Sequence, residues 1–294
     1  MIKQLIKKNQ KKLEKSVKEN DKSLTAKIYI QFLSLLRPVY FNNEFLLLNG
    51  LKKKITNAPQ SIIFFTVHKS ASTFIKNSII GLVNGKLIPV NLPGYLPPKK
   101  HKLYFNDTKK MEKVLLEQGF FYGAFRDYYN FSNLDKFKVL LVLRDPRDVL
   151  TSMYFTVLYN HPIGRKEVID KRKEFEKFTI DEFVLDQAYE FKKKYGAYSK
   201  YLLNRSNVLF LKYEDMITDF PAWLSRLSDF LEVDNPDYID NLIKKTSFKV
   251  KKEDKNSFIR NIQSGDHKNK LQPETIGKLN EIFKDDLIEM GYAL

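Results

Sequence analysis

The chain has 294 residues, 43% of them hydrophobic and 14% aromatic, which is ample for a packed core and too much for a disordered chain. Its 51 Lys+Arg against 35 Asp+Glu leave a net charge of +16, which favours an anionic partner such as a nucleotide, a nucleic acid or an acidic membrane. There is no cysteine, which excludes disulfides, thiol nucleophiles and Cys-ligated zinc, and the four histidines lack the HxH or HxxxH spacing of a metal site.

Residues 1–27 carry nine Lys against three acids, yet Ile2, Leu5, Ile6, Leu13, Val17 and Leu24 fall on one side of a helical wheel. Such a basic helix can lie on a membrane, dock on the domain or fray. Ile28 to Leu36 continues as a more apolar helix that Pro38 stops. No apolar run reaches the roughly 18 residues needed to cross a bilayer. The N-terminus also lacks the unbroken apolar stretch of a secretory signal, so a cytoplasmic protein is expected, with peripheral membrane contact through residues 1–27 left open.

Ser61 to Thr66 reads as a buried strand, and the polar stretch Val67-His68-Lys69-Ser70-Ala71-Ser72-Thr73 leads into a helix from Phe74 to Val83. A strand that feeds a tight polar loop opening a helix is suited to a phosphate. Unpaired N–H groups and the positive end of the helix dipole converge there, and Lys69, Ser70, Ser72 and Thr73 add donors. Lys86 to Leu92 is a second strand and PGYLPPKK a surface loop. Asp107 caps a helix running to Gln118, which Gly119 ends. Phe120 to Phe125 and Phe137 to Leu143 are further strands, and the near-continuous FKVLLVL suits a parallel strand covered on both faces. Tyr95, Phe120, Tyr122, Tyr128 and Tyr129 fit either the core or the lining of an apolar pocket.

Pro146 to Asn160 is a helix, residues 164–177 a mobile charged surface segment, and Thr179-x-x-Glu182 a capping box opening a long helix to about Arg205. Val208 to Tyr213 is the last strand. Helices follow from Pro221 to Leu231, Pro236 to Lys245 and Pro273 to Met290, the last after a basic stretch ending at Lys270. The order of strands and helices predicts an α/β fold: one domain, residues 56–294, with a central parallel sheet flanked by helices, preceded by a basic helical extension at 1–55. No internal repeat or linker divides it.

A second stretch, Leu143-Arg144-Asp145-Pro146-Arg147-Asp148-Val149-Leu150-Thr151-Ser152, also leaves a buried strand and enters a helix. Helical side chains lean toward the N-terminus, so Ser152 can point back toward an anion held by Arg144. A structural salt bridge of Arg144 with Asp145 or Asp148 fits equally well.

Together the two stretches resemble the sulfotransferases that use 3′-phosphoadenosine 5′-phosphosulfate (PAPS). HKSAST resembles that family's 5′-phosphosulfate loop, PKSGTT, and RDPRDVLTS its 3′-phosphate segment, R-N-P-x-D-x-x-x-S. Downstream and in order, LKYEDM at 211–216 is similar to its YEDM segment and Thr246-Ser247-Phe248 to its TSF. Phe258 to Asn269, FIRNIQSGDHKN, resembles F-x-R-K-G-x-x-G-D-W-K-N. The resemblance implies a fold similar to P-loop nucleotide kinases. It also implies PAPS as donor, adenosine 3′,5′-bisphosphate as product, and no metal. It would place Lys69, Ser70, Ala71, Ser72 and Thr73 on the phosphosulfate. Arg144, Ser152 and Arg260, with the backbone of Asn261 and Ile262, would hold the 3′-phosphate, and Phe74, Tyr213, Thr246 and Phe248 would surround the adenine. The acceptor, a small molecule, lipid or glycan with a hydroxyl or amine, is not implied.

The chain departs from the family at Ala71, where it usually has glycine, and at Phe74, where it commonly has tryptophan. The best counterpart of its KTHLP segment is Gly123-Ala124-Phe125-Arg126-Asp127, which has no histidine. Three residues therefore compete as general base: His68, His161 and Asp127. Two other readings remain. One is a nucleotide kinase on the same scaffold, opposed by a loop that has no glycine and puts its Lys first, with no evident acid for Mg²⁺. The other is a nucleic-acid-binding protein, for which no base-reading motif is present.

Overall fold

The computed structural model describes residues 37–53, 55–96, 98–160, 166–248, 253–254 and 260–294. The helices expected over 1–27 and 28–36, and His161, lie outside these. After a helical turn, Arg37–Tyr40, that includes Pro38, the elements are α1 (Asn42–Leu48), β1 (Ile62–Thr66), α2 (Ser72–Leu82), β2 (Ile88–Val90), α3 (Pro98–Phe105), α4 (Thr108–Val114), β3 (Phe120–Phe125) and β4 (Lys138–Leu143). There follow α5 (Pro146–Phe155), α6 (Lys166–Phe175), α7 (Ile180–Tyr198), β5 (Val208–Lys212), α8 (Tyr213–Thr218), α9 (Phe220–Leu231), α10 (Pro236–Lys245), α11 (Asp266–Lys270) and α12 (Pro273–Glu289).

The five strands form one sheet in the order β2-β3-β1-β4-β5, and every pairing is parallel. The strand period of two divides its core cleanly. Ile62 and Phe64 of β1, with Leu140 and Val142 of β4, face a cluster closed by Ile75 and Ile79 of α2 and by Trp223 and Leu227 of α9. Ile63 and Phe65, with Val139, Leu141 and Leu143, face the opposite cluster, closed by α5, α7 and α12. Helices on both faces explain why FKVLLVL carries no polar alternation. Each buried large apolar side chain contributes about 1.5–3 kcal/mol by leaving water, so the centre of the sheet is strongly held.

From β1 the chain crosses toward β2, whereas from β4 it crosses toward β5. That reversal opens a crevice at the carboxyl ends of β1 and β4, where open α/β sheets bind ligands. One helix fixes both strand ends. Tyr195 and Tyr198 lie three residues apart on α7, hence on one face. The Tyr195 hydroxyl donates to the Arg144 carbonyl and the Tyr198 hydroxyl to the Thr66 carbonyl, at 2.9 Å in the second case. Thr66 Oγ1 also donates to Val142 O at 2.8 Å, tying β1 to β4. The predicted capping box opens α7: Glu182 N donates to Thr179 Oγ1, and Thr179 N to Glu182 Oε2.

Several segments differ from expectation. PGYLPPKK is largely helical, because Asn91 Oδ1 caps the turn Leu92–Tyr95 and Pro98 takes a first-turn position where its missing N–H costs nothing. The charged segment 164–177 contains α6, anchored by Phe175, whose ring lies 4.9 Å from that of Phe183. Tyr213 opens α8 rather than ending β5. Phe120, Tyr122 and Tyr129 are buried in the core.

Candidate functional site

A cleft of about 620 Å³ opens at the carboxyl ends of β1, β3 and β4, within the range of ordinary ligand pockets. His68, Lys69, Ala71, Ser72, Thr73 and Phe74 line it from the loop after β1 and the start of α2. Arg144 and Ser152 enter from the β4 side, as the lean of helical side chains requires, with Tyr213 beneath them. Thr246, Phe248, Arg260, Asn261 and Ile262 close the remaining wall. Ser70 is fully buried in the loop and does not line the cleft, and its hydroxyl has no partner among the described residues.

The loop turns through two left-handed residues, Lys69 at φ 66° and Ala71 at φ 53°. Ala71 is the N-cap of α2, and its carbonyl accepts the first helical bond, from Ile75 N at 3.1 Å. A left-handed backbone costs a non-glycine residue about 1–2 kcal/mol. Ala71→Gly is therefore expected to raise Tm by about 1–2 °C, the relief being partly offset by the greater backbone freedom of glycine when unfolded. A thermal melt showing no rise would contradict strain at this residue.

Five cations line the cleft, Lys69, Arg126, Arg144, Lys245 and Arg260, and among the described residues no carboxylate does. The two arginines of the β4 side lie over aromatic rings. The Arg144 guanidinium lies 4.5 Å from the centre of Tyr213 and that of Arg260 lies 4.0 Å from Phe155. Arg144 donates to Lys69 O at 3.1 Å and Gln263 O at 3.2 Å. It also stands 3.8 Å from Asp148, so it both pairs with that carboxylate and faces the cleft.

Arg260 bonds Glu253 and Asp266. Its neighbour Asn261 donates to Asp266 Oδ1 at 2.8 Å. Buried Asp148 accepts from Gly265 N at 2.7 Å and His267 N at 3.0 Å, and shares a 2.6 Å bond with His267 Nδ1. Burial opposes its ionisation, but the His267 and Arg144 contacts outweigh that and hold its carboxyl below the usual value. Asp148 thereby stitches the 260–267 segment to α5, which brings Arg260 beside Arg144.

Burial, followed by the charges of Arg144, Arg260 and Arg126, lowers the Lys69 pKa to about 8. A cation made this costly is relieved by an anion. The orphaned donors of two cleft residues agree: Arg144 Nε and Arg260 Nε are buried without a protein partner among the described residues. With a surround of cations, hydroxyls and helix-start N–H groups, the cleft suits a ligand with more than one anionic end. An aromatic cluster at its side, with Phe74 and Phe248 ring centres 5.6 Å apart, suits a flat apolar group.

Of the three candidate bases, His68 lines the cleft. Asp127 does not, and its carboxylate meets Lys194 Nζ at 2.6 Å. His161 lies outside the described residues. Arg126 was not among the residues expected here. It follows β3 directly, lines the cleft, and its Nη2 donates to Ser72 Oγ at 3.2 Å. A charged residue leaving a buried strand was the available signal, the same one that singled out Arg144. Phe155, Met153 and Lys245 also line the cleft and carried no distinguishing signal. No group of three or more metal-ligating side chains occurs among the described residues, and none of their helices is long and apolar enough to cross a membrane.

Comparison with known proteins points the same way. The family described as Sulfotransferase domain matches residues 128–291. Mouse Sulfotransferase 2A6 is 26% identical over 175 residues, covering 52% of this chain and 57% of that protein. Rabbit Amine sulfotransferase is 24% identical over 172 residues, covering 52% of this chain and 55% of that protein. The matched region thus spans about half the length of these curated relatives. Among solved structures, mouse sulfotransferase SULT7A1 complexed with PAP superposes with a TM-score of 0.58 at 19% identity, over 84% of this chain and 94% of that one. At that identity the likeness bears on the fold.

Proposed function

The chain belongs to the sulfotransferase domain family, and on that premise we propose that it transfers a sulfuryl group from PAPS to a hydroxyl or amine acceptor and releases adenosine 3′,5′-bisphosphate. The observation that carries this reading is the cleft between β1 and β4, with five cations and no carboxylate among its described lining residues. Lys69 with the hydroxyls of Ser72 and Thr73 takes the phosphosulfate end, whereas Ser70, expected there from the sequence, is buried behind the loop. Arg144, Ser152 and Arg260, with the backbone of Asn261 and Ile262, take the 3′-phosphate, as forked guanidinium groups suit phosphate oxygens. Phe74, Phe248, Tyr213 and Thr246 surround the adenine.

The donor, when bound, supplies the sulfuryl group and a phosphate leaving group. Lys69 and the N–H groups that open α2 stabilise the negative charge gathering on the departing phosphate oxygen. His68, beside Lys69 in the cleft, takes the proton lost by the acceptor as its oxygen or nitrogen bonds to sulfur. Because the transferred sulfonate carries one negative charge, fixed side-chain cations suffice without a bound metal.

Calorimetric titration with adenosine 3′,5′-bisphosphate tests the donor site, and transfer of labelled sulfuryl from PAPS tests the reaction. Absence of bisphosphate binding, or Mg²⁺-dependent ATP hydrolysis in its place, would reject the reading. His68→Gln is expected to lower kcat about a hundredfold, the size of effect given by a lost general base, while the bisphosphate still binds. An unchanged kcat would remove His68 from that role.

A further inference from the structure

Arg126 reaches the cleft from a different side than the other two arginines. β3 flanks β1 on one side and β4 on the other, so Arg126, directly after β3, approaches the β1 loop opposite Arg144, directly after β4. Arg260 stands with Arg144, since Asp148 stitches its segment to α5. Lys69, in the loop after β1, lies between the two groups, and all three arginines depress its pKa.

The guanidinium groups also differ in what balances them. Arg144 has Asp148 at 3.8 Å, and Arg260 is bridged by Glu253 and Asp266. Arg126 donates to the neutral hydroxyl of Ser72, and the adjoining carboxylate, Asp127, is engaged at 2.6 Å by Lys194. Arg126 is exposed on the cleft and has no hydrogen-bonded carboxylate among the described residues, so its guanidinium, which stays protonated and cannot act as a base, is available to a ligand. Its planar fork matches a carboxylate or phosphate oxygen pair.

The β4 side already holds a two-arginine clamp, and Lys69 with the loop donors serves the phosphosulfate. We propose that Arg126 determines acceptor specificity, binding a carboxylate or phosphate group that the acceptor carries beside its nucleophile. This rests on the PAPS-dependent reading above. The acceptor hydroxyl or amine then lies between its own anion, anchored at Arg126, and the phosphosulfate at Lys69.

The test uses the full chain saturated with PAPS, titrated with benzoate and with its neutral counterpart benzamide. Neither probe has a hydroxyl to sulfate. The expected result is tighter binding of benzoate than benzamide by wild type. Arg126→Met should weaken benzoate about tenfold or more, Arg126→Lys should recover part of the loss, and benzamide should be unaffected. Bisphosphate affinity should change by less than about fivefold in Arg126→Met, a nearby but non-contacting charge. Wild type that holds benzoate no better than benzamide would overturn the proposal. So would Arg126→Met that weakens PAPS tenfold while sparing the bisphosphate, since Arg126 would then serve the donor's sulfonate. If wild type failed to bind the bisphosphate at all, the donor reading itself would fall, a distinct outcome.

Discussion

Arg144→Met is expected to weaken binding of adenosine 3′,5′-bisphosphate about a thousandfold, equivalent to about 4 kcal/mol. The guanidinium is prepared for a dianion. The Tyr213 ring and the carbonyls of Lys69 and Gln263 hold it in place, and its Nε is buried with no acceptor among the described residues. Little side-chain freedom is lost on binding, so most of the strength of a charge-assisted pair is retained. The substitution also changes the sign of the local field. Asp148 keeps its bonds from Gly265 and His267 and would face the phosphate without its partner. Arg144→Lys keeps the charge and loses the fork, so its loss should be intermediate, about ten- to a hundredfold. Calorimetry with thermal melts of each variant separates lost binding from lost folding. A folded Arg144→Met protein binding within tenfold of wild type would remove Arg144 from the phosphate site.

The three central strands were legible because they are buried on both faces. IIFFT, FFYGAF and KVLLVL leave no choice of environment, and the break from apolar run to polar loop marks each strand end to within a residue or two. The loops where those strands stop are where a parallel sheet puts its site, so Lys69 and Arg144 could be read from the same two breaks. The long motif at Arg260 shows the limit of that reasoning. Nothing local brings it to Arg144; the contact depends on Asp148 accepting N–H groups over a hundred residues away, and the resemblance supplied it.

Elements whose helicity depends on partners were missed. The segment holding α6 is charged through most of its length, and its anchor, Phe175, packs against Phe183 on the following helix. PGYLPPKK offered prolines that read as breakers, although two of them sit in first turns. Arg126 was missed for a different reason. It follows β3 as Arg144 follows β4, but no family motif singled it out, and its sequence neighbour Asp127 turns away to Lys194 on α7. The general base resisted prediction because reach decides it, and reach is not a property of sequence position.

Lys69→Met is expected to make the ligand-free protein more stable at pH 7 while cutting kcat/KM about a thousandfold or more. Burial and three nearby arginines lower the Lys69 pKa from 10.5 to about 8. The fold therefore disfavours the charged form, and below pH 8 it bears that penalty in full. As pH rises from about 8 toward 10.5 the folded protein sheds the proton before the unfolded chain does, so wild type gains stability relative to Lys69→Met and their difference in Tm should shrink. An anion in the cleft reverses the preference and pulls the Lys69 pKa back up. Binding of the bisphosphate should then take up a proton, and affinity should fall by up to about tenfold per pH unit above pH 8. Calorimetry at pH 8 to 9 in buffers of different ionisation enthalpy measures the uptake directly, in a range where the ligand phosphates no longer titrate. Wild type should take up a proton and Lys69→Met should not. Affinity that stays flat from pH 7.5 to 9.5, with no proton taken up, would mean that Lys69 does not face the bound anion and that its charge serves the fold alone.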